Sequence, residues 1–155
     1  MALVFDVSLL AVCAHAALRG KGPERLGAAI NLGAVMATNI ARLMGLATWL
    51  PTDALLWVID LSVLASFFWL GVASTRFWPI WCFGFALADI CLHLARMTMP
   101  DQRLFVYATG EGIWAYLALA ALAIGTYRAS RDTTPAATNG WRSDERRGFA
   151  FPDNG

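Results

Sequence analysis

Seven ionisable side chains lie within stretches of this sequence that are otherwise apolar. The seven are Asp6, Arg42, Asp60, Asp89, His93, Arg96 and Glu111, of which Arg42, Asp60, Asp89 and Glu111 belong to four different stretches. At about 1.5 Å of rise per residue, those four fall about 10 to 12 Å from the same end of four helices. A charge in hydrocarbon costs on the order of 3 kcal/mol, so such groups must meet one another or water. The pattern predicts a polar layer that several helices share.

Two interpretations of this polar layer are open. Asp89, His93 and Arg96 are spaced i, i+4 and i+7, which places them on one face of a helix. Carboxylates and imidazoles inside a membrane are typical of proton relays and ion pathways, so one interpretation is a proton- or ion-handling site. The other is a network of salt bridges and hydrogen bonds that fixes which helix packs beside which.

The histidines do not show a pattern that is typical of a cofactor site. His15 and His93 fall near opposite ends of the predicted bundle, so they cannot ligate one haem from its two sides; a pigment or haem held by one histidine stays open. Glu111, Asp89 and His93 have no spacing that distinguishes metal ligands from ordinary pairing. No nucleophile elbow, phosphate-binding glycine loop or HExxH motif occurs. We therefore expect no enzymatic activity, no metal and no cofactor.

The elements that position these groups are predicted to be membrane-spanning helices. Hydrophobic residues make up 58% of the 155 residues and charged residues only 15%, which is too apolar a composition for a water-soluble domain. Five apolar stretches, each about long enough to cross a bilayer, cover residues 2 to 18, 26 to 49, 54 to 75, 77 to 97 and 104 to 127. Trp49, Trp78 and Trp81 fall near their ends, where tryptophan lines membrane interfaces. The sequence predicts an all-α bundle of five transmembrane helices over residues 1–128.

The distribution of Lys and Arg predicts how this bundle is oriented, because positive residues in short loops stay on the cytoplasmic side. They concentrate in residues 19–25, at Arg76 and in the tail after residue 128, whereas the opposite loops contain mainly Arg103. This places the amino terminus outside and the carboxyl terminus in the cytoplasm, which requires an odd number of spans. Four spans with one re-entrant piece near residues 75–79 is the alternative. The net charge of +1 provides no basic field for binding nucleic acid.

Residues 129–155 form a polar tail that cannot bury enough apolar area to fold alone. We predict that this cytoplasmic tail is disordered unless it docks on a partner. Its aromatic residues Trp141, Phe149 and Phe151 are the side chains expected to anchor it there.

Four short motifs carry a resemblance to known sequences. They are Arg76-Phe77-Trp78-Pro79-Ile80-Trp81, His93-Leu94-Ala95-Arg96, Ile113-Trp114-Ala115-Tyr116 and Gly125-Thr126. With them, residues 20 to 130 resemble a group of small multi-pass membrane proteins of alphaproteobacteria to which no activity is assigned. The resemblance implies a location in the bacterial inner membrane and brings no function with it.

These observations predict a non-catalytic accessory or structural subunit of a larger inner-membrane complex, whose partners are other membrane-protein subunits and the lipid bilayer. The alternative is a small proton-linked transporter or carrier that uses the intramembrane carboxylates. The two differ in which part of the chain matters most. A subunit depends on the tail, whereas a carrier depends on the polar layer.

Overall fold

The fold of this chain consists of α-helices, as the apolar stretches predict. In the computed structural model, residues 2–44, 52–98, 105–131 and 140–142 are described. The helices are α1 (Ala2–Arg19), α2 (Gly22–Leu43), α3 (Thr52–Ala73), α4 (Trp78–Thr98) and α5 (Phe105–Arg131). The bounds differ most at α2, which runs from Gly22 to Leu43 rather than from residue 26 to residue 49, and α5 extends to Arg131 rather than to residue 127. Pro23 suits the first turn of α2, because the missing amide hydrogen of proline needs no acceptor there.

Two of the five helices are long and apolar enough to cross a membrane. They are the segments Leu55–Ala73 of α3 and Trp78–Ala95 of α4, with 19 and 18 residues. A bilayer span needs about 20 apolar residues, so each of them matches that length. The turn between them covers only residues 74–77, and α3 and α4 therefore form an antiparallel hairpin.

The five helices form a closed ring in chain order. Each helix packs against the next one along the chain, α1 packs against α5, and α2 also contacts α5. The α1–α2 turn, the α3–α4 turn and the carboxyl end of α5 consequently lie at the same end of the bundle. We call it the basic end, because it contains Arg19, Lys21, Arg25, Arg76, Arg128 and Arg131.

Trp78 is central to the packing of the basic end. Its side chain is only 6% exposed, although the sequence analysis places it in an aromatic belt at the membrane interface. The indole lies between Gly27 of α2 and Gly125 of α5, and a Cβ at either glycine would collide with the ring. Trp81, one turn further on, is 53% exposed as a belt residue would be. The two glycines thus provide the space into which Trp78 packs.

Candidate functional site

Three of the predicted polar residues come together between α3 and α4. The Nδ1 atom of His93 lies 3.2 Å from Oδ2 of Asp60. Ligand atoms of Asp60, Asp89 and His93 all lie within 4.8 Å of one another. The three side chains are partly buried, and the ring of Trp57 lies beside the imidazole with a centroid separation of 6.1 Å. We call these three residues the carboxylate–histidine cluster.

The hairpin geometry explains why these residues meet. Asp89 and His93 are four residues apart on α4, and so they project from one face of that helix. Asp60 lies 14 residues before the turn at 74–77, and Asp89 lies 12 residues after it. In an antiparallel hairpin, similar distances from the turn give similar heights. Asp60 and Asp89, which the sequence predicts at a common depth, therefore lie close together across the hairpin.

The cluster borders a cavity of about 150 Å³ within the bundle. Asp60 and Asp89 contribute to its wall, and Asn31 of α2 and Trp114 of α5 line other parts of it. Most of the remaining wall is apolar and comes from all five helices. A cavity with a few convergent polar groups in an apolar wall is the usual form of a small-ligand site.

The cluster consists of groups that can bind both protons and metal cations. Carboxylates and imidazole take up and release protons, and the same groups are ligands for divalent metals when they are deprotonated. Asp60, Asp89 and His93 are the residues that could hold a metal ion among the described part of the chain. The sequence analysis identified two of them together with Glu111 and expected no metal. The sequence contains no signal that Asp60 lies beside His93, because this contact depends on how the helices pack.

The other predicted members of the polar layer are not part of this cluster as far as it is described. Asp6 is exposed on α1, and so is His15 nearer to the basic end. The side chains of Arg42, Arg96 and Glu111 lie outside the described residues, and so do Phe149 and Phe151. The predicted pairing of Arg42 with a carboxylate stays a prediction.

A second polar centre, which the sequence analysis missed, surrounds Glu24 at the basic end. The Glu24 side chain is fully buried. Its Oε1 atom accepts a hydrogen bond from Nε1 of Trp78 at 3.2 Å and lies 3.6 Å from Nε of Arg76. Its Oε2 atom accepts a hydrogen bond of 3.1 Å from the backbone amide of Lys21. This single carboxylate therefore joins α2 to the α3–α4 turn and to α4.

The sequence does contain a signal for Glu24. A glutamate in the first turn of a helix can bond a backbone amide just before the helix and is favoured by the helix dipole. The run of charges and helix breakers in residues 19–25 predicts instead a loop between the first two spans. That interpretation is wrong for residues 22–25, which belong to α2, and Pro23 and Glu24 are buried.

Trp141 docks on its own chain, which corrects the expectation that it anchors the tail to a partner. Its ring lies 6.0 Å from that of Trp69, measured between centroids, and a Cβ at Gly22 would collide with the indole. The Gly140 carbonyl accepts a hydrogen bond of 3.0 Å from the Thr75 amide. Gly140 has a φ of 72°, where a side chain would be strained. Residues 140–142 thus form a strap across the basic end.

A second, larger cavity of about 680 Å³ opens between α4 and α5 at the basic end. Arg76 and Arg128 lie at its polar side, and Trp81, Leu117 and Phe85 are among its apolar lining. Phe85 also lines the cavity at the carboxylate–histidine cluster. Its ring stacks on Trp114, with 6.2 Å between centroids and 24° between planes. Phe85 is thus part of the lining of both cavities.

Comparisons with protein-family models, with curated proteins and with solved structures each gave no match.

Proposed function

We propose that this chain is a small membrane carrier that moves a cation in a proton-linked manner through the carboxylate–histidine cluster. The observation that carries this proposal is the convergence of Asp60, Asp89 and His93, the first two of which line a cavity within the bundle. Ionisable groups inside membrane helices are rare and mark substrate pathways and proton relays. The proposal is the alternative of the sequence analysis, and the site geometry favours it over the accessory subunit.

The proposed setting is the bacterial inner membrane, which all five helices cross with the amino terminus outside and the basic end in the cytoplasm. Each helix exposes large apolar side chains, such as Val7, Met36, Val58, Leu87 and Ile124. An outer surface that is apolar on every helix suits lipid rather than water. The Lys and Arg residues at the basic end suit the cytoplasmic side.

Phe85 lines both the cavity at the carboxylate–histidine cluster and the larger cavity at the basic end, and its ring stacks on Trp114. The larger cavity opens outward, since Trp81 and Ile124 in its lining are 53% and 56% exposed. In the proposed carrier, the Phe85 ring is the internal barrier whose movement connects the two cavities. Carriers work by opening a central site to one side at a time. We assign the role of this internal barrier to Phe85.

The proposal can be tested with the purified full chain in proteoliposomes that contain a pH-sensitive dye. Gradients of Na⁺, K⁺, Mg²⁺, Mn²⁺ and Zn²⁺ are imposed one at a time, and internal pH is recorded. At least one cation should drive proton movement faster than in protein-free liposomes. Rates equal to those of protein-free liposomes for every cation would contradict the proposal.

The second candidate is the non-catalytic accessory subunit of a membrane-protein complex. The observation that favours it is the sequence after the strap, where Phe149 and Phe151 follow the docked Trp141. If the chain binds other subunits through its tail, these two phenylalanines are the residues to test.

The strap defines where the tail should be cut to test this candidate. Deleting residues 143–155 removes Phe149 and Phe151 but retains Trp141 and its contacts. A subunit should then lose its partners on copurification, because buried aromatic anchors commonly contribute about 2 kcal/mol or more each. The carrier should keep its cation-driven proton movement. As the matched control, Arg25→Gln alters an exposed residue at the basic end and leaves both the strap and the tail in place.

A further inference from the structure

We propose that the cation bound by the carboxylate–histidine cluster is a divalent transition metal, with Asp60, Asp89 and His93 as its protein ligands. This inference rests on the proposed function and names its cargo. The positions of the three side chains and the chemistry of their donor atoms support this metal site.

The positions of the ligand atoms suit one metal ion. Adjacent ligands around an ion at about 2.1 Å lie about 3 Å apart. His93 Nδ1 and Asp60 Oδ2, which are 3.2 Å apart, match one edge of such a coordination shell. The third ligand comes from Asp89, and all three atoms lie within 4.8 Å of one another. Asp89 and His93 share a face of α4, so both project toward the same position beside Asp60.

The donor set distinguishes among cations. Two carboxylates and a neutral imidazole have a formal charge of −2, which matches a divalent ion better than Na⁺ or K⁺. The imidazole nitrogen suits zinc, iron and other transition metals, whereas Mg²⁺ and Ca²⁺ prefer oxygen ligands alone. Three protein ligands with an open position are typical of sites that exchange a ligand rather than of closed structural sites.

The neighbouring cavity provides that open position. Its volume of about 150 Å³ has room for water molecules beside the metal. Asn31 lines the cavity across from α3 and α4, and its side-chain nitrogen donates to the Gly27 carbonyl at 2.9 Å. A metal ion could enter and leave through this cavity without unfolding of α3 or α4.

Equilibrium dialysis of the detergent-purified full chain against Mn²⁺, Zn²⁺, Mg²⁺ and Na⁺ tests the inference. We expect one Mn²⁺ or Zn²⁺ ion per chain, with no comparable binding of Mg²⁺ or Na⁺. His93→Gln and Asp89→Asn should each weaken binding more than tenfold, since each removes a direct ligand. His15→Gln and Asp6→Asn are matched controls at exposed positions and should leave affinity unchanged. Co²⁺ should give an absorption band in the wild type that His93→Gln removes.

The outcomes separate this inference from the proposed function. Failure of the wild-type chain to bind Mn²⁺, Zn²⁺ or Co²⁺, or binding that persists in both cluster variants, would overturn the metal site. If Na⁺ or K⁺ nevertheless drives proton movement in proteoliposomes, the carrier stands with a different cargo. Metal binding without proton movement under any gradient would overturn the carrier, and with it the role of the metal as cargo.

Discussion

Replacing Glu24 by alanine is expected to lower the free energy of unfolding of the bundle by about 3 to 5 kcal/mol, the range for breaking a buried charged pair. The buried carboxylate accepts a hydrogen bond from Trp78 and lies 3.6 Å from Nε of Arg76. Without it, the mostly buried Arg76 guanidinium loses this ion pair and the buried Trp78 indole loses its hydrogen-bond acceptor. The loss can be measured by unfolding in mixed micelles with increasing SDS, followed by circular dichroism.

Two further variants show whether the charge or the hydrogen bonds of Glu24 matter. Glu24→Gln keeps an oxygen that can accept from Trp78 or from the Lys21 amide, so it should cost less, about 1 to 3 kcal/mol. Arg25→Gln changes the exposed neighbour and should stay within about 0.5 kcal/mol of the wild type. A Glu24→Ala variant as stable as Arg25→Gln would show that this polar centre does not hold the basic end together.

Asp89→Asn is expected to abolish the cation-driven proton movement of the wild-type chain in proteoliposomes. Asparagine has nearly the shape of aspartate, but it cannot take up a proton and lacks the charge that holds a cation. Asp89 contributes to both the cluster and the cavity wall, so its replacement removes a carboxylate that the proposed transport requires. Because the change is nearly isosteric, the variant should still purify as a folded protein.

A control variant tests whether the effect of Asp89→Asn depends on the position of the carboxylate. Asp6→Asn makes the same chemical change at an exposed position of α1 and should leave the rate of proton movement unchanged. Equal loss in both variants would indicate a general effect of charge on reconstitution. Wild-type rates in Asp89→Asn would rule out a role of the cluster in carriage.

Much of the fold follows from local sequence patterns. The apolar stretches predict all five helices, and four of them begin within two residues of the predicted positions. Asp89 and His93 could be paired from the sequence because i and i+4 residues always share a helix face. The sequence also places Asp60 and Asp89 at similar heights, because height along a helix depends on the distance from a turn. The contact of Asp60 with His93 required knowledge that α3 and α4 pack side by side.

The features that were missed depend on contacts between distant parts of the chain. Glu24 lies among charges and helix breakers, and only the approach of Trp78, 54 residues later, shows that it is buried. Trp78 itself resembles an interface tryptophan until Gly27 and Gly125 are known to flank its ring. Trp141 was expected to anchor the tail on a partner, and no local pattern distinguishes docking on the same chain from docking on a partner.

A carrier requires that solutes reach the cavity at the carboxylate–histidine cluster from both sides of the membrane. Ala86 lines this cavity, and so Ala86→Cys places a reporter there once Cys13, Cys82 and Cys91 are replaced by alanine. A charged, membrane-impermeant thiol reagent is then applied to intact cells and to inside-out vesicles. The account predicts labelling of the cysteine from both sides, reduced in each case by the transported cation. Labelling from one side only, or from neither, would contradict it.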